Sequence, residues 1–356
     1  MATSRVLPLD ETLARQRQAC AALGSTLYAR LLDGIAADVA AGGVCAAVLV
    51  PHAGDSVNSM LPLRFLGAVH RLVLDGRAPA LAAQYPSAGG SPGPDLVGAF
   101  LATVADLRPE VEARLAHGVQ TNEVGRSAAL VGGYAEVARR SGLPLRVLEV
   151  GASAGLNLRW DRFWYDTGAS TLGDPASPVR FTGVWAPGGS GPPDLAVPGG
   201  ITVAGREGCD RNPLDPTTEE GRRTLRSYLW PDQVARRARL DAALAVAARV
   251  PARVTRADVG DWLGDRLASP ATGRATVVVH SIVWQYILPA SRDRMREALR
   301  RRGAAAGPEA PLAWLRLEPA GPVADIRLTW WPGGGEEVLG TAGYHGDDVV
   351  WGAPAA

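Results

Sequence analysis

The sequence contains no lysine, so all 37 of its basic side chains are arginines, set against 36 acidic ones. Because the two signs almost cancel, net charge predicts neither a nucleic-acid-binding stripe nor a membrane-surface patch. We interpret the missing lysine, together with abundant alanine and glycine, as codon bias from a GC-rich genome.

Cysteine is also scarce. The three cysteines, Cys20, Cys45 and Cys209, are odd in number and far apart, which excludes a disulfide framework and a cysteine metal cluster. The five histidines lack the spacing of metal ligands, so no metal site is expected. No apolar run approaches the length of a membrane span, and the first residues have no signal core. We therefore expect a soluble, cytoplasmic protein with no membrane partner.

One stretch organises the rest of the chain. Residues 145–150 are apolar and rich in branched side chains, which is typical of a buried parallel strand. Five small residues follow, Gly151 to Gly155, and then apolar spacing that suits a helix resumes. A strand that runs through a small-residue turn into a helix is where α/β proteins bind nucleotides or place a nucleophile.

The surrounding pattern predicts two domains. Residues 1–140 read as mostly helical, and we expect them to form an N-terminal helical cap. Residues 141–356 alternate strands with helices and end in a hairpin around the glycines at 333–335, which predicts a mostly parallel sheet with a closing antiparallel hairpin.

A polar loop, residues 119–126, precedes the organising strand and includes Glu123 and Arg126. Thr121 or Asn122 could cap the following helix, with Glu123 complementing the helix N-terminus. The same side chains could instead face a substrate. Residue chemistry leaves both interpretations open.

The sheet that ends in a hairpin resembles the class I S-adenosylmethionine-dependent methyltransferases, which have a Rossmann-like fold. In that family an acidic residue ends the first strand and a glycine-rich turn follows. Glu149, Gly151 and Gly155 are similar to that motif, although Ser153 stands where the middle glycine is usual.

This resemblance implies a cofactor site for S-adenosylmethionine. Glu149 would lie near the amino group of the cofactor, while Gly151, Ser153 and Gly155 would let the backbone approach it, with Asn157 in the same motif. Acids at later strand ends, Asp210 and Asp258, would hold the ribose and the adenine amine. His280, at the end of the fourth strand, is our candidate base, and Glu123 and Arg126 would orient the acceptor. An Asp after a strand is also often only a helix cap, and a lone His is often structural.

The same turn also satisfies Gly-x-Ser-x-Gly, the nucleophile turn of α/β-hydrolases. Ser153 would then be the nucleophile, with Asp258 or Asp325 and His280 or His345 completing a triad. We favour the methyltransferase interpretation because mostly helical sequence precedes the turn and because Glu149 has no role in a hydrolase. A non-catalytic cofactor-binding module is the third possibility.

Two stretches of sequence resemble a bacterial family known as domain of unknown function 2332. They are the polar loop, residues 120–126, and the turn with its flanking residues, 148–158. Residues 230–233, 280–281, 311–316 and 331–334 look like further landmarks of that family. The resemblance spans essentially the whole chain. It implies that the helical and α/β parts belong together, and it favours a functional role for the polar loop.

We therefore expect methyl transfer from S-adenosylmethionine to a small-molecule acceptor held between cap and sheet. The sequence identifies neither the acceptor nor the oligomeric state.

Overall fold

The computed structural model describes residues 5–352 and divides them into two units. The helical unit comprises residues up to Thr121 together with Glu219–Ala238, and the sheet unit comprises Asn122–Thr218 and the residues from Arg239 onward. The sequence prediction placed residues 1–140 in the helical cap. In the structure residues 122–140 belong to the sheet unit, because the helix they contain packs on the sheet.

The helices vary from one turn to four. In chain order they are α1 (Leu9–Ala22), α2 (Thr26–Ala40), α3 (Val44–Leu49), α4 (Leu61–Leu74), α5 (Pro79–Ala82), α6 (Leu96–Asp106), α7 (Arg108–Leu115), α8 (Arg126–Ser141), α9 (Glu219–Ser227), α10 (Val234–Ala247), α11 (Val259–Arg266) and α12 (Pro289–Ala304).

The strands fall into two sheets. They are β1 (Leu145–Val150), β2 (Trp164–Asp166), β3 (Thr171–Leu172), β4 (Arg180–Thr182), β5 (Val203–Asp210), β6 (Arg253–Arg256), β7 (Ala275–Ser281), β8 (Leu312–Ala320), β9 (Val323–Trp331), β10 (Gly335–Ala342) and β11 (Val350–Trp351).

Helical packing around one core holds the helical unit together, and the 219–238 segment is part of it. Ser25 caps α2 by accepting from the Tyr28 N–H, and the Asp232 carboxylate accepts from the Ser25 hydroxyl at 2.7 Å. His70 is fully buried, with Nδ1 3.1 Å from the Ser227 carbonyl oxygen. Burial lowers its pKa to about 4, so this histidine is a neutral core residue.

The main sheet has the order β11-β10-β9-β8-β7-β1-β5-β6. Strands β6, β5, β1, β7 and β8 are parallel, and β9 to β11 are antiparallel additions. The prediction of a mixed α/β fold with a mostly parallel sheet and N-terminal helices is confirmed. The predicted closing hairpin is β9–β10, and β9 also pairs with β8 along its whole length.

Two further features differ from the sequence pattern. The helix expected after Gly155 is a short 3-10 helix, Asn157–Arg162, which is kinked at Arg159. Residues 164–182 form a separate three-stranded sheet, β3-β2-β4. This small sheet lies in the sequence between β1 and β5, which pair directly with each other. The insertion therefore explains why so many residues separate Gly155 from Asp210.

Within the described residues, no single helix is long and apolar enough to cross a membrane. Two consecutive segments, Thr26–Ala40 and Val44–His52, reach the length and apolar composition of a membrane span only when they are taken together, and they are bent by 86° relative to each other.

Candidate functional site

The turn after β1 requires glycine at two positions. Gly151 and Gly155 have φ of 67° and 66°, in the left-handed region that side chains disfavour. A Cβ atom on Gly151 would lie 2.4 Å from Val283 Cγ2, and one on Gly155 would lie 2.8 Å from Val254 Cγ2. Both glycines therefore allow a close approach of the β1 turn, to Val283 in the loop after β7 and to Val254 of β6.

Ser153 also has left-handed backbone angles, with φ of 50°. Its N–H donates to Asp210 Oδ2 at 3.0 Å, and its carbonyl oxygen accepts from the Leu214 N–H at 3.2 Å. The loop that follows β5 thus holds this strained residue in place. The serine is buried.

Glu149 points to the α8 face of the sheet. Its neighbours Leu148 and Val150 pack into the core formed with α11 and α12, and side chains alternate along a strand. The backbone of Glu149 is in register with Val279 of β7, which is in turn in register with Leu315 of β8, the residue against which α8 packs. Among residues 5–352 no group donates a hydrogen bond to Glu149 Oε2, although the side chain is buried.

The charge of Glu149 is unfavourable in this environment. Burial raises the pKa of its carboxyl group to about 8, an effect that Arg159 and Arg126 oppose and Asp210 reinforces. A buried carboxyl group with a raised pKa at the end of a central strand is a candidate functional group.

Asp210 ends β5, the strand that pairs with β1. Gly208 of β5 is in register with Glu149, so Asp210, two residues later, shares its face. Asp210 Oδ1 accepts from the Asn212 N–H at 2.8 Å, while Oδ2 holds Ser153. The structure therefore brings together Glu149, Ser153 and Asp210.

The polar loop before α8 is tied to the residues after the turn. Asn122 Oδ1 accepts from the Leu156 N–H at 2.8 Å, and Asn157 Nδ2 donates to the Glu123 carbonyl oxygen at 3.1 Å. Glu123 Oε1 accepts from the Gly125 N–H at 3.1 Å. Gly125 is the N-cap of α8, and no side chain caps this helix, so the cap that the sequence offered as one of two interpretations of Thr121 or Asn122 is not formed.

Arg126 reaches the end of β7. Its Nη1 donates to the Ser281 carbonyl oxygen at 3.2 Å, and its Nε donates to the Tyr344 carbonyl oxygen at 3.1 Å. Its charge acts on Glu149. Arg126, one of the three residues predicted to be catalytic, therefore lies within electrostatic reach of the predicted cofactor acid.

His280 lies on the other face of the sheet. It is two residues from Val278, which packs in the α11–α12 core, and its ring stacks on Trp284 at 5.5 Å between centroids. His280 Nδ1 lies 2.6 Å from Glu318 Oε1, and within the described chain its buried Nε2 has no partner. The structure does not bring the His280 ring to the side of the sheet on which Glu149 lies.

The sequence reasoning missed Glu318. This residue lies near the end of β8, and its Oε1 also accepts from the Val283 and Trp284 N–H groups at 3.1 and 3.3 Å. The available signal was its position on β8, the strand beside β7, two residues after Arg316, which is in register with His280.

Asp258 has a structural position. It caps α11 by accepting from the Gly260 N–H at 2.8 Å, and it accepts from Ser291 Oγ at 2.5 Å and pairs with Arg294. Burial alone would raise its pKa, yet these hydrogen bonds lower it below the usual value. Its two carboxylate oxygens are thus used within α11 and α12, which favours the helix-cap interpretation of Asp258 over the predicted cofactor role.

Residues 5–352 contain no group of three or more His, Cys, Asp or Glu side chains that could hold a metal ion.

Comparison with known proteins gives one match. A family model described as an uncharacterized protein conserved in bacteria matches residues 10–351. No curated protein and no solved structure matches the chain. Because the match covers almost the whole length, the chain belongs to the bacterial family with domain of unknown function 2332.

Proposed function

We propose that the protein transfers a methyl group from S-adenosylmethionine to a small-molecule acceptor and that its sheet is of the Rossmann-like methyltransferase type. The observation that carries the proposal is the buried Glu149 carboxyl group, whose Oε2 has no donor in residues 5–352, beside a turn built on Gly151 and Gly155. An acid that lacks an internal partner is a ready acceptor for the ammonium group of a ligand.

Sheet topology supports the same position. From β6 to β8 the strands occur in the order third, second, first, fourth and fifth of the main sheet, which is the order of doubly wound nucleotide-binding sheets. In such sheets ligands bind outside the carboxyl ends of the strands where the winding reverses, here between β1 and β7. Glu149, Gly151 and Ser281 lie at that reversal.

The residues fit the cofactor with one departure from the usual pattern. Asp210 can accept from ribose hydroxyl groups, since each carboxylate oxygen has more than one acceptor position. The N–H groups of Ala152, Ser153 and Gly155 are already used by Cys209, Asp210 and Ala152. A cofactor carboxylate would therefore need a donor other than these three N–H groups.

The cofactor, when bound, supplies an activated methyl group for in-line displacement. The chain would hold the donor through Glu149 and Asp210 and orient the acceptor through Arg126 and Glu123, so positioning supplies most of the acceleration. The base role of His280 stays a prediction. From the α12 face, its contact with Glu318 positions the Val283–Trp284 backbone, which lies against Gly151.

Calorimetric titration with S-adenosylhomocysteine tests the proposal through two matched variants. Asp210→Asn should weaken binding at least about tenfold, because an amide cannot both hold the Ser153 N–H and accept a ribose hydroxyl with the same geometry. Asp258→Asn should leave affinity unchanged, because its oxygens are used by α11 and α12. Equal loss in both variants, or no binding by folded wild type, contradicts the proposal.

Serine hydrolysis is the second candidate, favoured by the left-handed Ser153 in a turn that follows a strand. Three of the expected triad members have other partners. Asp258 holds Ser291, Asp325 pairs with Arg327, and His280 contacts Glu318. Labelling by a fluorophosphonate probe, lost in Ser153→Ala, would support the hydrolase.

A further inference from the structure

We infer that a cleft beside the small sheet, which we call the insertion cleft, binds a carboxylic acid that has an apolar body. The cleft has a volume of about 520 Å³, within the range of small-molecule sites. Three segments of the sheet unit line it: the end of the 3-10 helix (Asp161 and Arg162), the loop 173–178 between β3 and β4, and the end of α10 with the residues after it (Val246, Arg249 and Val250). Because the turn after β1 lies outside this lining, the inference does not depend on the proposed cofactor site.

Hydrogen bonds join the three segments that line the insertion cleft. Ser177 of the loop is buried, and its Oγ donates to the Arg162 carbonyl oxygen at 2.7 Å and accepts from the Val179 N–H at 3.3 Å. Arg159 Nε donates to the Val250 carbonyl oxygen at 2.7 Å, which ties the segment after α10 to the same 3-10 helix. The walls are therefore fixed by contacts of their own, as is typical of a preformed binding site.

Asp161 lies in the insertion cleft between two arginines. Arg206 Nη2 donates to Asp161 Oδ2 at 2.8 Å, and Arg162 Nε lies 3.2 Å from the same oxygen. The side chains of Asp161 and Arg206 are only 12% and 10% exposed, so they form a largely buried pair. Since two guanidinium groups share one carboxylate, one positive charge is left uncompensated.

Arg249 adds a further positive charge to the lining. Its guanidinium group has no ion pair within residues 5–352. Asp174 of the loop is the other acid that lines the cleft, and its Oδ1 accepts from the Ala176 N–H at 2.8 Å. Together with Arg206, three guanidinium groups thus stand against two carboxylates, which leaves an excess of one positive charge.

A singly charged carboxylate complements this excess. Guanidinium groups bind carboxylates through paired hydrogen bonds, which Arg162 and Arg249 can offer. A doubly charged phosphate would exceed the positive charge of the cleft and would also meet Asp174. Val246 and Pro178 contribute apolar surface to the lining, so the rest of the ligand should be apolar.

The test is titration of the protein, followed by saturation-transfer NMR of the ligand, with 3-phenylpropanoate and its uncharged analogue 3-phenylpropanamide. Wild type should bind the acid at least about tenfold more tightly than the amide. Arg249→Gln should weaken binding of the acid about tenfold and leave the amide unchanged. Asp174→Asn keeps an acceptor for the Ala176 N–H and removes one negative charge, so it should tighten binding of the acid about twofold. Arg300→Gln, on the exposed surface of α12, is the control and should change neither.

Several results would overturn the inference. Equal binding of the acid and the amide would show that the carboxylate is not recognised. Acid binding that Arg249→Gln and Asp174→Asn both leave unchanged would place the ligand elsewhere. Inorganic phosphate that binds as tightly as the acid would show that the charged group alone is recognised, and no binding of the acid by folded wild type at about 10 mM would exclude the site. Because Asp174→Asn is expected to gain affinity, a folding defect cannot imitate the predicted result.

Discussion

Glu149 should make the stability of the protein depend on pH. Its pKa is about 8 in the folded state, against 4.5 as the ordinary value. Below pH 4.5 both states hold the proton. Between pH 4.5 and 8 the unfolded state releases it and the folded state retains it, so the free energy of unfolding falls as pH rises. The accumulated loss above pH 8 is on the order of 3–5 kcal/mol.

The measurement is urea denaturation of wild type and Glu149→Gln from pH 5 to 9. The variant should lose this fall and should be the more stable protein at pH 9. Glu297→Gln is the matched control, since Glu297 lies on the surface of α12 and pairs with Arg300. A wild-type curve parallel to that of Glu149→Gln would show that Glu149 is ionised in the folded state.

The close approach at Gly151 can be separated from its backbone angle. Gly142 has φ of 62° with no atom within 4 Å of an added Cβ, so Gly142→Ala should cost about 1–2 kcal/mol for backbone strain alone. Gly151→Ala has the same strain and a contact with Val283, and should cost about 1–3 kcal/mol more.

Val283→Ala gives the internal check on this comparison. In that background Gly151→Ala should cost less than it does with Val283 present, because both Val283 Cγ atoms that an added Cβ would meet are absent and only Val283 Cβ, at 3.1 Å, remains close. An unchanged cost would mean that the turn does not depend on its contact with the loop after β7.

At the scale of elements, the loop after β7 is held by one carboxylate. Ile282 has φ of 49°, which is strained for a branched residue, and Glu318 accepts from the next two N–H groups and contacts His280. Glu318→Gln should lower the free energy of unfolding by about 1–3 kcal/mol. Denaturation measures this loss, and a variant as stable as wild type would contradict the clamp.

The contrast between two strand-end acids belongs to the same scale. Asp258→Ala removes the cap of α11 and the contacts with Ser291 and Arg294, and should cost about 1–2 kcal/mol of stability. Its effect on ligand affinity should be negligible by calorimetry. A variant that keeps its stability but loses binding would restore Asp258 to the cofactor site.

At the scale of the whole molecule, the sequence predicts where the helices and strands lie better than it predicts which face of the sheet a given side chain occupies. The apolar run and the small residues at 145–155 predict β1 and its turn, because buried parallel strands and close approaches each need particular residue types. Alternation places Leu148 opposite Glu149 within one strand. It does not place His280 relative to Glu149, since that requires the register between β1 and β7. The candidate base and the candidate cofactor acid thus lie on opposite faces.

Long-range contacts limited the prediction in the same way. Asp258 follows a strand as a cofactor acid would, yet Ser291 and Arg294, more than thirty residues later, use its oxygens. The contact of Glu318 with His280 likewise joins residues 38 apart. The return of residues 219–238 to the helical unit depends on contacts such as that of Asp232 with Ser25. None of these contacts between distant residues leaves a pattern in the local sequence.

The cofactor site itself is tested most directly by ultraviolet crosslinking of radiolabelled S-adenosylmethionine, followed by trypsin digestion and mass spectrometry. Since the chain has no lysine, cleavage after Arg146 and Arg159 yields one peptide, residues 147–159, that carries Glu149, the turn and Asn157. We predict that this peptide carries label and that excess S-adenosylhomocysteine abolishes it. Label only elsewhere, or label that the competitor leaves unchanged, would contradict the assignment of this turn as the cofactor site.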